Sequence, residues 1–134
     1  MKDKTYILDT NVILRFTLKD NISHFKKASE LLSSADKGHV SLILIPQVIF
    51  ECVFVLEKVY KYDHAKIAEE IGKFIKFDYL RLENREILVK SFNIYKNKNI
   101  DLVDCYLYIL SIKNKCEVFT FDKDFKKLSK LSLD

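Results

Sequence analysis

Hydrophobic residues fall along this chain in two rhythms. Short unbroken apolar runs at Thr5–Leu8 and Val40–Ile45 read as buried strands, the second suited to a central parallel position. Longer stretches repeat apolar residues at helical spacing. These predict helices over Asn11–Leu18, from a Ser23 cap to about Ala35, over Gln47–Lys61, His64–Lys76, Arg85–Tyr95 and Leu102–Ser111. Pro46 fits the first turn of the third helix, where a missing N–H costs nothing. That helix is apolar almost all round and should be deeply packed. Tyr79–Leu82 predicts a weak edge strand, Glu117–Phe121 a final strand, and Phe125–Leu131 a short terminal helix or coil. Strands alternating with helices give an α/β fold with a mostly parallel sheet.

Bulk numbers narrow this picture. A length of 134 residues predicts one domain over 1–134. With 49% hydrophobic and 31% charged residues the chain suits a globular protein with a real core. Two glycines and one proline exclude a linker or a turn-rich sandwich. The net charge of +4 tolerates a polyanion without arguing for one. The three cysteines, Cys52, Cys105 and Cys116, lie in apolar stretches and suit no metal pair, so buried, reduced thiols in the cytoplasm are expected. Lys2-Asp3-Lys4 leads straight into a strand, which is not how a signal peptide starts. The longest apolar stretch, Ser41–Phe50, is broken by Pro46 and Gln47, which excludes a membrane span.

The chemistry lies in the acids at element boundaries. Asp9 ends the first strand and opens a polar turn, the edge where parallel sheets bind ligands. Glu51 sits among Ile49, Phe50, Cys52 and Val53, an expensive place unless its carboxylate is paired or reaches solvent at a groove. Glu57, about 240° further round the same helix, reads as a surface residue. Asp101 and Asp104 share one helix face. Asp101 alone would pass as an N-cap, whereas Asp104 has core-like neighbours. Asp122 follows the predicted last strand as Asp9 follows the first, and Asp124 reads as a cap or supporting group. Brought together without a cation, these carboxylates would repel one another and some would protonate. Mg²⁺ or Mn²⁺ would resolve that, being hard and oxygen-seeking. His24, His39 and His64 stand in separate polar contexts and read as surface residues, so zinc is not favoured. No glycine-rich phosphate loop is possible.

Leu8-Asp9-Thr10-Asn11-Val12, Glu51 after the second strand, Asp104 opening a helix, and Thr120-Phe121-Asp122-Lys123-Asp124-Phe125 resemble the PIN-domain family, whose small members include VapC-type toxins. The resemblance covers essentially the whole chain. It implies a three-layer α/β/α sandwich and metal-dependent endoribonuclease activity. It implies Asp9, Glu51, Asp104 and Asp122 as metal-binding and catalytic acids, supported by Asn11 and Thr120. Where the family often has Asp-Ala-Leu, this chain has Asp104-Cys105-Tyr106. Arg15, one turn beyond Asn11, would meet a substrate phosphate. A small antitoxin would be the partner, and a non-toxin RNA-processing nuclease or a non-catalytic RNA- or protein-binding module the alternatives. A receiver-like protein would need a lysine ending a late strand, and Asp122 stands there instead. Phe16, Phe25, Phe50, Phe54, Leu56 and Tyr60 exceed what one sheet face needs, so part of this set should surface as an interface, with a homodimer expected.

Overall fold

The computed structural model describes residues 4–130. Strand β1 (Lys4–Ile7) leads into α1 (Thr10–Leu18) and α2 (Ile22–Asp36). Strand β2 (Val40–Leu44) then enters α3 (Pro46–Lys58) and α4 (His64–Ile75). Strand β3 (Leu80–Leu82) precedes α5 (Arg85–Tyr95) and α6 (Leu102–Lys113), and a 3₁₀ helix spans Lys123–Lys130. The three strands form one parallel sheet in the order β1-β2-β3, flanked by helices. This is the α/β architecture that the alternating pattern predicts, with β2 central and β3 at an edge.

Register decides what the sheet presents. Ile7 lies opposite Ile43, and the Leu8 N–H donates to the Ile43 carbonyl at 2.9 Å. Both chains therefore leave the sheet at the same level and edge. Asp9 follows one exit and α3 follows the other. The core beneath them includes Leu8, Ile13, Leu42, Leu44, Ile49 and Leu56, all nearly inaccessible to solvent.

Several expectations are corrected. Glu117–Phe121 is not a strand, and Phe119 and Phe121 stand 89% and 92% exposed, their rings in contact at 5.5 Å. β-Prone side chains do not make a strand without a ladder partner. β1 is correspondingly exposed along its length rather than buried, and among the described residues it pairs with β2 alone. Asn21, not Ser23, caps α2, accepting from the His24 N–H at 3.0 Å. Helix α3 buries Ile49, Cys52, Val53 and Leu56 but leaves one face open. Cys52 and Cys105 are buried as expected, whereas Cys116, just past the end of α6, is exposed. No helix among the described residues is long and apolar enough to cross a membrane.

Glu57 and His64 are not plain surface residues. Tyr95 donates its phenol to Glu57, whose carboxylate also lies 3.3 Å from His64 Nε2. His64 Nδ1 donates to the Tyr95 carbonyl at 3.0 Å, and the two rings stack at 3.9 Å. This knot ties the ends of α3, α4 and α5 together. Burial, then the bond to Glu57, pushes the Tyr95 hydroxyl well above its ordinary pKa.

Arg85 closes the turn from α4 into β3. Its Nε donates to the Ile75 carbonyl at 3.0 Å, and its Nη2 to the carbonyls of Phe77, at 2.9 Å, and Leu80. Arg85→Met keeps the stem and removes the fork, leaving those carbonyls without their donor. It is expected to cost roughly 2–4 kcal/mol, read as a lowered urea midpoint, with Arg85→Lys recovering only part because an ammonium cannot reproduce the fork.

Candidate active site

Asp9 occupies the N-cap position of α1 with extended backbone, φ −86° and ψ 153°, yet its side chain makes no capping bond. Asn21 and Asp63 do cap their helices through their side chains. The Asp9 carboxylate is thus exposed and uncommitted to the helix it opens. The next residue joins it to α3. Thr10, 7% exposed, donates its hydroxyl to Glu51 Oε2 at 3.0 Å, and Cys52 Sγ lies 3.8 Å from the Thr10 carbonyl oxygen. Glu51 itself lies on the open face of α3, so its carboxylate reaches solvent. Thr10 escaped the sequence reading because its partner is 41 residues away; the only local signal was a hydroxyl beside Asp9. Burial, followed by the charges of Glu51 and Asp9, pushes the Cys52 thiol up to about 12. That thiol is no nucleophile at neutral pH.

A second acidic group forms at α6. Asp101 holds the N-cap position, again without a side-chain cap bond. Half-buried Asp104 has its carboxyl raised above its ordinary range by burial first, then by the charges of Asp101 and Asp122. The Cys105 thiol, raised to about 12 by burial, also feels Asp104 and Asp101. Asp122 is placed by a tight turn rather than by a strand end: its N–H donates to Thr120 Oγ1 at 3.0 Å. The Thr120 hydroxyl therefore shapes the turn that holds Asp122. The side chain of Asp124 lies outside the described residues.

The structure thus draws Asp9 towards Glu51, and Asp104 towards Asp101 and Asp122. Among the described residues, no three of the His, Cys, Asp and Glu side chains gather closely enough to coordinate one ion. Helix α3, which carries Glu51, packs against both α1 and α6. Phe50 meets Tyr106 edge to face at 5.2 Å across the α3–α6 contact, and Asn84 Nδ2 donates to Tyr106 Oη at 3.0 Å. Bulky Tyr106 is accommodated there. Asn11 is exposed on the first turn of α1. Arg15 is held otherwise than expected: Nη1 pairs with Asp20 at 2.7 Å, and Nη2 donates to Tyr60 Oη at 3.5 Å.

The donor chemistry fits a hard divalent cation. Every candidate ligand is an oxygen, and Asp104 is raised by burial and, after that, by the neighbouring charges of Asp101 and Asp122, which a cation would offset. The sequence profile of the PIN domain matches residues 6–131. This chain belongs to the PIN-domain family. It is 28% identical over 128 residues to a VapC ribonuclease from Aquifex aeolicus (strain VF5), an alignment covering 91% of this chain and 90% of that protein. No solved structure matches it.

Asp104→Asn removes the crowded charge with little change of shape. In chelator-treated protein it is expected to raise Tm by a few degrees at neutral pH. A carboxyl whose pKa is raised by folding costs stability as pH climbs through the raised value. The gain should therefore shrink as pH falls through the carboxylate range, where the group takes up its proton in folded and unfolded chain alike; a uniform gain at all pH values would contradict this account.

Proposed function

We propose that this PIN domain is a metal-dependent endoribonuclease and the toxin of a toxin–antitoxin pair. One observation carries the reading. Asp9 and Asp101 stand at N-cap positions without spending their carboxylates on capping, and Asp104 is half-buried with Asp101 and Asp122 as like-charged neighbours. A capping role of the kind Asn21 and Asp63 play would have spent those carboxylates on the helix. The similarity to a VapC ribonuclease supports RNA as the substrate and an antitoxin as the partner.

Asp9, Glu51, Asp104 and Asp122 would hold Mg²⁺ or Mn²⁺. When bound, such an ion polarises a phosphodiester and acidifies a water. The protein's own contribution is orientation and proton traffic. Thr10 fixes the rotamer of Glu51 through its 3.0 Å bond. A carboxylate not on the metal accepts the proton of the attacking water, and Asp101, exposed and uncapped, is available for it. Asn11 and Thr120 support the flanks, Asn11 beside Asp9 and Thr120 through the turn at Asp122. Of the large apolar set on and near α3, Phe54 and Tyr60 are exposed and Leu56 is fully buried. A homodimer working in the cytoplasm, with an antitoxin segment closing over the acids, completes the reading.

Purified protein should cleave single-stranded RNA with Mg²⁺ or Mn²⁺ and stop on chelation. Asp9→Asn should lower the rate roughly 100-fold or more while leaving the fold intact. Glu57→Gln should keep the rate, since Glu57 faces the α4–α5 side, and lose only stability. Cleavage by Asp9→Asn at the parent rate would refute the acidic site. Light scattering at high micromolar concentration should give a dimeric mass, and a strictly monomeric one would remove the dimer from this reading.

A further inference from the structure

The open face of α3 carries a pattern that the acids alone do not explain. Gln47, Glu51, Phe54 and Lys58 are all exposed, one after another along the helix. At 3.6 residues per turn they fall within a wedge of about 60°. Phe54 is 60% exposed, stands outside the hydrophobic core cluster, and lies one turn beyond Glu51. Among the described residues no ring contact covers it, and it lies on the same helix face as Glu51 and Lys58. Lys58 follows one turn later, about 10 Å along the axis from Glu51.

The pattern continues past the end of the helix. Tyr60 is 37% exposed and is touched by Arg15 Nη2 at 3.5 Å. Its ring lies 6.4 Å from that of Tyr62, and Lys66 Nζ sits 4.1 Å over the Tyr62 ring. Acid, ring and cation on the helix are thus followed in sequence by Tyr60, whose hydroxyl meets the Asp20-paired guanidinium of Arg15, and by the Tyr62 ring under an ammonium. Aromatic rings interleaved with cations are how proteins hold single-stranded nucleic acid: rings take base faces, and cations take the backbone. An antitoxin peptide or a second copy would bury the ring equally well but would not need the cations spaced along it.

We infer that the exposed face of α3 is the substrate track of this enzyme, with Phe54 stacking on an unpaired nucleobase next to the scissile phosphate and Lys58 taking the phosphate beyond it. Tyr60, with Arg15 fixed against it, and the Tyr62–Lys66 pair carry the strand away from the acids. The inference rests on the ribonuclease reading and names its substrate as unpaired RNA laid along one helix. Phe54 is a positioning residue: it touches the strand and acts through its placement.

The chain contains no tryptophan, so Phe54→Trp creates a single fluorescent reporter. In the Asp9→Asn background, a mixed-sequence 12-nucleotide RNA should quench its emission, whereas heparin, a polyanion without bases, should not. In the otherwise wild-type protein, Phe54→Ala should raise KM for single-stranded RNA about 5- to 100-fold with a smaller effect on kcat, and Phe54→Tyr should restore KM. Lys58→Ala should weaken binding and flatten its salt dependence. Unquenched emission with RNA shown bound by anisotropy of a labelled strand would overturn the track. So would an emission shift that depends on protein concentration without RNA, because the face would then be a contact between copies. An unchanged KM in Phe54→Ala beside normal wild-type cleavage sinks this inference alone. Absence of metal-dependent cleavage in the wild type sinks the nuclease reading instead, and quenching by RNA would still report the track.

Discussion

Parallel pairing of β1 with β2 constrains everything built above the sheet. Because Ile7 faces Ile43, both chains leave at one level, and the turn at Asp9 lies beside the start of α3. Pro46 at the head of α3 sets the backbone angle without losing a needed hydrogen bond. The Thr10 hydroxyl then reaches Glu51 across this short gap. A register slip of one residue would send Leu8 out of the core and turn Asp9 away from the edge. The first acidic pair is therefore a product of strand pairing, not of local sequence.

Helix α3 carries two polar contacts of different character. At its middle Glu51 accepts from Thr10 in a part-buried setting. Near its finish Glu57 accepts from Tyr95 and neighbours His64. Ile49 before Glu51, and Cys52, Val53 and Leu56 between the two acids, anchor the inner face in the core. Two carboxylates on one helix thus have opposite fates. Glu51 is left open to solvent, and Glu57 is bound into a knot of three helices.

Much of this was legible in the sequence. Helical periodicity located α1 to α6 within a few residues, and continuous apolar runs located β1 and β2. The acids were legible as boundary residues, since Asp9 and Asp101 do stand where helices begin. Misreadings arose where a partner distant in sequence decides the outcome. Glu57 looked like a surface residue because its partners Tyr95 and His64 belong to other helices. Val118-Phe119-Thr120-Phe121 has every local mark of a strand, but strand formation is a property of pairs. Helix α3 looked apolar almost all round, and although part of its large apolar set was expected to surface, a hydropathy pattern cannot tell that Phe54 is the exposed ring and Leu56 the buried side chain.

The outer edge of β1, which pairs with no further strand among the described residues, has a consequence for the molecule in a crowded cell. Backbone groups along an open edge are a template on which another chain can add as a further strand, the first step towards irreversible clumping. Ile7, 71% exposed near that edge, makes the template stickier. Lys4, its ammonium 5.9 Å over the Tyr6 ring, places a charge where an incoming strand would start. A single lysine thus acts as gatekeeper for the strand that carries Asp9 to its post, and solubility and site placement are bound up in the same few residues.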